Sequence, residues 1–445
     1  MSFLSTLVTA AAIAYAVYRD SQLKDGKGYF FIAALSGLAF LASNFVYHIG
    51  PLFRQHIMMV MFETLAVVIL ANVNEVQDSA RRRRQLAIGI ALIIAAGYTK
   101  QLAAITAIAV LIWLFIRQPK RAFIWGFILA IIGGSIFIWI NWATNGEWWR
   151  QTIVANVNTF YPDQSIGLFR LWFSLHGFLL VPAAFMVVYE LYFDRLSIYS
   201  IWFVVSALLG GIGSGTWGAG DSYFATSIAA MCILSGLFAS RTLSQTWHFK
   251  ENYLKRWFIA PFQRFSKLVV QAGIITIPIL YLGYGIAVIH MPTEGAVFET
   301  VADLLNLQPN ALNGFYDSAG RIAGGYADIG HLVTAEDIAA GNRIVEMIQE
   351  TDKPVLSEEA GFSFAAGRDV ITNPTQLLNL WRAGLWNGTE LVSMIEEEAF
   401  AFLVLRAQFY PPDVLEAISH HYAPTEEIHM NGFDYIIMRP RETAP

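Results

Sequence analysis

The chain has 445 residues, of which 56% are hydrophobic and only 14% are charged, whereas soluble globular proteins carry about 25% charged residues. This composition excludes an ordinary soluble protein and predicts an integral membrane protein. The net charge of −5 indicates no nucleic-acid partner, and the single cysteine, Cys232, excludes an intramolecular disulfide and a cysteine metal cluster.

Apolar runs long enough to cross a membrane fill the chain up to residue 290. A hydrocarbon core about 30 Å thick needs roughly 17 to 25 apolar residues per helix. About ten such runs are present, at 2–18, 28–48, 56–73, 85–99, 101–116, 122–141, 170–192, 198–214, 219–239 and 267–290. The two runs beside Lys100 are interpreted as separate spans, although one helix kinked at Gly97 and Lys100 is an alternative. The sequence predicts an α-helical polytopic membrane bundle over 1–290.

Basic residues predict how the bundle is oriented, because short cytoplasmic loops retain Lys and Arg. The basic clusters, such as 81–84 and 117–121, all fall on one side, which we expect to be cytoplasmic. The opposite side holds only Arg54, Lys100 and Arg150, with Arg170 at a helix edge. Met1 and the C-terminal region then face outward from an inner (cytoplasmic) membrane. An outward N-terminus without a signal is unusual and indicates that one upstream span is missing.

Residues 291–445 have the pattern of a small extracytoplasmic α/β domain. Thr334-Ala-Glu-Asp337 begins a helix as a capping box. Short apolar runs at 354–358 and 400–405 predict buried strands, and helices are expected at 374–384, 389–398 and 411–421. Asn431-Gly432 between two apolar runs predicts a β-hairpin.

Lys100 is the first candidate for chemistry at the outer face. An unpaired charge inside a membrane costs about 2.5–3.5 kcal/mol even on the lenient insertion scale, so an anionic partner is expected. Lys100 is either a ligand for a lipid phosphate or a lysine whose ammonium group extends to the interface.

Other polar groups lie at or near the same face. Asp221 stands at the start of a helix, where N-capping explains it without a function. Glu63 is deeper in its span and faces the bundle interior, as a partner for a basic group or as a packed, protonated carboxyl. Arg54 and His56 precede that span, and His176 is expected to be a hydrogen-bonded helix residue. The segment 142–167 mixes aromatic and polar residues and resembles an interfacial helix or an aromatic belt.

Short segments of the sequence, taken in order, resemble a known family. They are Gly97-Tyr-Thr-Lys-Gln101 at the start of a span, Arg117-Gln-Pro-Lys-Arg121 at its end, the outer segment 141–162, the stretch 218–224, and Leu356-Ser-Glu-Glu-Ala-Gly361 with Gly384-Leu-Trp386. This order resembles bacterial polyprenyl-phosphate-dependent glycosyltransferases of the GT-C class, related to protein O-mannosyltransferases and aminoarabinose transferases. The resemblance implies a polyprenyl-phosphate sugar as donor, an acceptor glycan, lipid or protein at the outer face, and no cofactor or metal.

The resemblance also implies roles for particular residues. Lys100, with Gln101, is the candidate to bind the leaving phosphate, and Asp221 and Tyr223 are candidates to orient the sugar or acceptor. Relatives carry the catalytic acid on an outer loop that follows a first span, and neither element precedes Ser2. Where relatives have Arg-x-Asp on the next outer loop, this chain has Arg54-Gln-His56. We therefore expect no sugar transfer by the chain as given, with Asp221 as the substitute base if transfer occurs.

Two other classes remain open at the level of the sequence. A transporter or lipid flippase also places charges in a bundle, but inverted repeats or paired broken helices are expected there. A non-catalytic membrane protein that displays an outer binding domain is the second alternative, and the missing acidic loop favours it.

Overall fold

The computed structural model of the protein describes residues 1–25, 29–50, 55–156, 158–260, 266–310, 314–320 and 334–441. The chain divides into two compact units. The first comprises Met1–Ile138, Thr159–His290 and Asp317–Ala319, and the second comprises Trp139–Asn158, Met291–Tyr316 and Gly320–Pro445.

The described residues of the chain as far as residue 290 are mostly helical. Its helices are α1 (Ser2–Asp25), α2 (Phe30–Leu41), α3 (Asn44–Tyr47), α4 (Gln55–Leu70), α5 (Ser79–Thr99), α6 (Ala104–Arg117), α7 (Pro119–Ala143), α8 (Glu147–Trp149), α9 (Pro162–Phe193), α10 (Ile198–Gly213), α11 (Ala225–Ser244) and α12 (Ser266–Ala287). Short 3-10 turns at Gln101–Ala103 and Asp221–Phe224 precede α6 and α11, and π-helical turns lie at Arg150–Val154 and Lys255–Ile259.

Several of these helices have the length and apolar composition of membrane spans. Five described segments qualify by both criteria: Ser2–Gln22, Pro119–Ala143, Pro162–Phe193, Asp221–Ser244 and Val270–Ala287. Four shorter apolar helices accompany them. The segment that contains α11 is the most central, with 89% of its apolar window buried, whereas none of the window in α7 is buried. A helix that is apolar on all sides belongs either in a protein core or in lipid. Helix α11 is an example of the first and α7 of the second. The membrane-protein prediction is therefore supported, and the count of about ten spans stays a prediction.

The predicted span at 28–48 is wrong as a single helix. Helix α2 ends at Leu41, and Ser43 adopts an extended conformation (φ −67°, ψ 126°) before the short α3. The Ser43 hydroxyl lies 2.8 Å from Nε2 of His176, and His176 is fully buried, so the expected hydrogen-bonded role of His176 is confirmed. This break directs the chain from Asn44 to His48 across the end of the bundle.

Two other helices begin earlier than predicted. Helix α5 begins at Ser79, where the Asp78 carboxylate accepts a 2.8 Å hydrogen bond from the Ala80 N–H, so the arginines at 81–84 lie in the helix and not in a loop. Helix α9 begins at Pro162, not near 170. Proline is favoured at the first helical position because its φ is already helical and its missing N–H has no partner there. The interfacial segment expected at 142–167 is consequently shorter, and α8 with its π-helical turn ends at Val154.

The two spans beside Lys100 are separate helices, as preferred from the sequence. Helix α5 ends at Thr99, and Lys100 is extended (φ −159°, ψ 135°). The 3-10 turn Gln101–Ala103 then leads into α6. The alternative of one kinked helix is wrong.

The second unit contains the mixed α/β elements. Its helices after residue 290 are α13 (Phe298–Leu305), α14 (Ala335–Gln349), α15 (Ala360–Ala365), α16 (Pro374–Arg382), α17 (Thr389–Glu396) and α18 (Pro412–His421). The strands are β1 (His290–Pro292), β2 (Phe315–Asp317), β3 (Leu356–Ser357), β4 (Leu403–Leu405), β5 (Tyr422–Met430) and β6 (Phe433–Pro440). The capping box of Thr334 and Asp337 is confirmed. The hairpin is also confirmed, with Asn431 (φ 52°) and Gly432 (φ 77°) between β5 and β6.

A four-stranded sheet with the order β3-β4-β6-β5 organises this α/β region. Strands β3 and β4 are parallel, and β6 pairs antiparallel with both β4 and β5. Beyond the end of β3, both carboxylate oxygens of Glu358 accept backbone N–H bonds from the loop after β4, including one of 2.7 Å from Phe409 and one of 2.9 Å from Ala407. The acidic pair in Leu356-Ser-Glu-Glu thus has a structural role through Glu358.

Candidate functional site

The 3-10 turn Asp221–Phe224 lies between α10 and α11, and most of the polar residues singled out from the sequence surround it. The glycines before it allow the chain to leave α10: Gly218 has φ +79°, a conformation that L side chains rarely adopt. Three successive residues of the turn, Asp221, Ser222 and Tyr223, each contact side chains from other elements.

Asp221 belongs to a cluster centred on His48. Nδ1 of His48 lies 3.3 Å from Oδ2 of Asp221, and Nε2 lies 2.8 Å from Oδ2 of Asp317. The amide of Asn44 donates to the other oxygen of Asp317, which also accepts a 3.1 Å hydrogen bond from the Ala319 N–H. One imidazole therefore bridges two carboxylates, and the second carboxylate is held from three directions.

The two carboxylates differ in exposure. The side chain of Asp317 is 0% exposed and that of Asp221 is 15% exposed. Asp221 is therefore the more accessible of the two carboxylates, whereas Asp317 contacts His48 from within the protein.

The cluster favours a protonated His48, which lies outside the spanning helices in the turn that follows α3. Burial disfavours the charged imidazole, but hydrogen bonds to Asp221 and Asp317 outweigh it and raise the pKa of His48. Burial likewise opposes ionisation of Asp317, but the hydrogen bond and charge of His48, together with hydrogen bonds from Ala319 and Asn44, outweigh it and lower the pKa of Asp317. An imidazolium between two carboxylates is the arrangement that these shifts favour.

The rest of the turn brings a cation and a second histidine together. Nζ of Lys100 lies 5.5 Å from the ring centroid of Tyr223, within the range of a cation–π interaction. Nε2 of His56 lies 3.3 Å from the hydroxyl of Ser222, and its ring is 5.9 Å from that of Tyr223. Lys100 is half-buried and the adjacent Gln101 is exposed.

The structure thus brings together four of the residues singled out from the sequence: Lys100, His56, Asp221 and Tyr223. Gln101 is next to Lys100 in the chain. Arg54 lies outside the described residues. Glu63 is separate, because α4 carries it two turns away from His56.

Glu63 is 1% exposed and both of its oxygens are satisfied by hydroxyl groups. Thr106 of α6 and Thr226 of α11 each donate to it at 2.7 Å. Nε1 of Trp202 in α10 donates to Thr106 at 2.9 Å. Of the two roles expected for Glu63, the packed carboxyl agrees with these partners, which tie four helices together.

The capping role expected for Asp221 is wrong. Gly220 occupies the N-cap position of the turn and Phe224 that of α11, and no side chain caps either one. Asp221 turns toward His48 instead.

Sequence reasoning missed His48, Asn44 and Asp317. His48 and Asn44 ended a run treated as one apolar span, so the signal available was a pair of polar residues at its outer end. Asp317 is 269 positions from His48, and no local pattern connects them.

One turn therefore presents a partly exposed carboxylate from Asp221 and, through Tyr223, a contact with the ammonium group of Lys100. Among the described residues, no group of three or more His, Cys, Asp or Glu side chains is arranged to hold a metal ion.

Comparison with known proteins adds information on the fold. No protein-family profile and no curated protein match the sequence. The structure is similar to the crystal structure of ArnT from Cupriavidus metallidurans bound to undecaprenyl phosphate, with a TM-score of 0.54, 12% sequence identity, and coverage of 100% of this chain and 85% of that chain. The chain therefore has a GT-C-like membrane fold.

Proposed function

We propose that the chain is a multi-pass membrane glycosyltransferase that moves a sugar from a polyprenyl-phosphate donor to an acceptor at the outer membrane face. The observation that carries this proposal is the turn Asp221–Phe224 at one end of a GT-C-like bundle, where the Asp221 carboxylate contacts His48 and the ammonium of Lys100 lies 5.5 Å from the centre of the Tyr223 ring. The neighbouring fold belongs to a protein bound to undecaprenyl phosphate, which supports a lipid-phosphate donor.

The reaction joins the acceptor oxygen to the anomeric carbon of the sugar and breaks the bond from that carbon to the phosphate oxygen. Asp221 accepts the proton of the acceptor hydroxyl, and the lipid phosphate leaves with the electron pair of the broken bond. General-base assistance of this kind accelerates reactions by roughly 100- to 10,000-fold. Lys100 stabilises the negative charge that develops on the phosphate, which is most effective when the cation is fixed in advance.

His48 and Asp317 are positioning residues in this proposal. Asp317 fixes the imidazole ring, and the ring in turn orients Asp221 through a 3.3 Å contact. Asp221 is the general base in this proposal, so the proposal revises our expectation from sequence that the chain does not transfer sugar. That expectation rested on the departures of the sequence from the resembling family, and the interpretation of Asp221 as a cap excluded it as a substitute base. Asp221 contacts His48 instead of capping a helix.

The orientation of the chain is part of the proposal. Residues 291–445 form an extracytoplasmic domain, and the arginines at 81–84 face the cytoplasm. Reporter fusions after Glu299 and after Arg84 test this, and signals from opposite sides are expected. Signals from the same side contradict the orientation.

The proposed activity is tested with the purified chain in lipid nanodiscs, using a panel of polyprenyl-phosphate sugars and membrane-derived acceptors. Release of polyprenyl phosphate together with a glycosylated acceptor supports the proposal. Donor binding without turnover over the whole panel contradicts it and favours the non-catalytic alternative. Movement of the intact donor across the bilayer favours a flippase.

A further inference from the structure

A polar cavity lies at the end of the bundle opposite to the Asp221–Phe224 turn. It has a volume of about 360 Å³ and is enclosed by the ends of α1, α4, α6 and α10 and the middle of α11. Small-molecule sites generally measure about 300–1,000 Å³, so the cavity is large enough for a ligand.

The cavity is separate from the candidate glycosyl-transfer site. Helix α4 carries His56 at one end, and Ala71, just past its other end, lines the cavity. At 1.5 Å per residue these positions are about 22 Å apart along the helix. Helix α6 shows the same relation, because Lys100 precedes it and Arg117, its last residue, lines the cavity.

Charges of both signs line this space. Arg117 and Arg195 contribute guanidinium groups, and Asp20, Glu75 and Asp194 contribute carboxylates. Asp20 is buried, whereas Glu75, Asp194 and Arg195 are exposed at the mouth. Asp194 forms an ion pair with Arg241 at 3.6 Å. A ligand then meets the carboxylates of Asp20 and Glu75 together with the two guanidinium groups, so a ligand with both charges fits best.

Two further observations favour an anionic oxygen on that ligand. The guanidinium of Arg117 is fixed by a 2.7 Å hydrogen bond to the Leu196 carbonyl, so it is held in place before any ligand arrives. Nδ2 of Asn74 is buried and has no acceptor among the described residues, and Asn74 lines the cavity. A buried amide donor without an acceptor is unfavourable, and a ligand oxygen would satisfy it.

We infer that the cavity binds an aminoalkyl phosphate. Arg117 and the Asn74 amide bind the phosphate oxygens, and Asp20 and Glu75 bind the ammonium group. A phosphatidylethanolamine headgroup and a free phosphoethanolamine share this chemistry. Because the cavity opens at the end of the bundle that carries the basic clusters, either source reaches it from the side that we expect to be cytoplasmic.

The test uses the full chain purified into nanodiscs of phosphatidylcholine with phosphatidylethanolamine or phosphatidylglycerol, together with soluble phosphoethanolamine. Native mass spectrometry measures lipid retained on release, and calorimetry measures the soluble ligand. Retention of phosphatidylethanolamine about 10-fold or more above the other two lipids is expected for a lipid source. Binding of phosphoethanolamine without lipid selectivity identifies the soluble source. Equal retention of the three lipids without phosphoethanolamine binding overturns the inference.

Variants separate the cavity from general charge effects. Arg117→Gln and Glu75→Gln are each expected to weaken the selective binding by roughly 10- to 100-fold, since each removes a charge-assisted hydrogen bond. Glu75 is exposed, so its replacement tests the inference even if Arg117→Gln disturbs folding. Arg83→Gln is the matched control, because Arg83 is exposed and does not line the cavity. An equal loss in Arg83→Gln contradicts the inference.

Discussion

Two carboxyl groups in the same bundle, those of Glu63 and Asp221, show how the partners of a carboxyl group indicate its role. Glu63 is enclosed by helices, and neutral hydroxyl groups of Thr106 and Thr226 bind both of its oxygens. Asp221 lies at the end of the bundle, remains 15% exposed, and contacts His48, which also binds Asp317. The first arrangement connects helices, and the second leaves the Asp221 carboxylate partly exposed, as our proposal for Asp221 requires.

Glu63 and Asp221 differ in the chemistry of their partners and not only in how deeply each side chain is buried. A buried carboxylic acid that receives two hydroxyl donors needs no cation, because neutral hydrogen bonds satisfy its oxygens. Burying charged groups is costly unless they are paired and hydrogen-bonded, and the His48 cluster pairs one cation with two anions. Matched substitutions of Glu63 and Asp221, compared in turnover and in stability, therefore test whether the two carboxyl groups have different roles.

The largest loss of turnover is expected for Asp221→Asn. The amide keeps the size of the side chain and the contact with His48 but accepts no proton, so turnover should fall by roughly 100- to 10,000-fold. Polyprenyl-phosphate release in nanodiscs measures it. Glu63→Gln is the matched control and should retain most of the wild-type turnover. Equal losses in the two variants would contradict the assignment of Asp221 as the base.

Glu63→Ala is expected to give the largest loss of stability. It leaves the Thr106 and Thr226 hydroxyls without their acceptor and creates a cavity, which together cost about 2–4 kcal/mol in free energy of unfolding. Thermal unfolding in nanodiscs measures the effect. Asp221→Ala, at a partly exposed position, should cost clearly less. The opposite order would show that the outer cluster, and not Glu63, stabilises the bundle.

Lys100→Ala should weaken binding of a polyprenyl phosphate by roughly 10- to 100-fold, as expected for the loss of a charge-assisted contact. Binding of a fluorescent polyprenyl phosphate in nanodiscs measures it, and an unchanged melting temperature shows that the fold persists. Arg83→Ala is the control, because it removes an exposed cation from α5 that is not part of the candidate site. Unchanged affinity in Lys100→Ala would mean that the lysine only extends its charge to the membrane interface.

The smallest expected effect is a dependence of the protein's stability on pH. The raised pKa of His48 means that its stabilising contribution is complete below about pH 6.5 and is lost as pH rises through the folded-state value. The lowered pKa of Asp317 makes its contribution complete above about pH 4 and lost at more acidic pH. Burial lowers the pKa of His290, so its titration acts in the opposite direction to that of His48.

The difference between the wild type and His48→Gln isolates the contribution of His48. The melting temperature of the wild type should exceed that of the variant most clearly between about pH 4 and pH 6.5, with the gap narrowing above that range. A gap that does not change with pH would mean that folding leaves the pKa of His48 unchanged, which contradicts the raised pKa.

Hydropathy predicted the helices well because it reports the exchange of water for lipid, and every predicted span coincides with a helix in part. It did not predict the break at Ser43 or the start of α9 at Pro162, since hydrogen bonding and proline geometry set those points. The helix α13 was also missed. Its eight residues form only two turns, which is short for a periodic pattern.

Only part of the candidate site was predicted from the sequence. Lys100 and Asp221 were recognised as charges in apolar surroundings, which a sequence shows directly. His48 and Asp317 depend on tertiary contacts across 269 positions, which one sequence does not reveal. Asp221 was interpreted as a cap because its position before a helix is local information, whereas its contact with His48 is not.

Helix α7 has one buried residue, Ala122, among its 25. Beyond the short turn at Gln118 that joins it to α6, a 2.6 Å bond from the Tyr98 hydroxyl to the Gly133 carbonyl is one of the polar contacts that hold it. One side of α7 contacts protein, as in the pair of Phe123 with Phe115 of α6, and in a membrane its remaining surface would face acyl chains. Extraction by harsh detergents should detach α7 before the core of the bundle unfolds, so purification in native lipid is the condition under which this helix keeps its place.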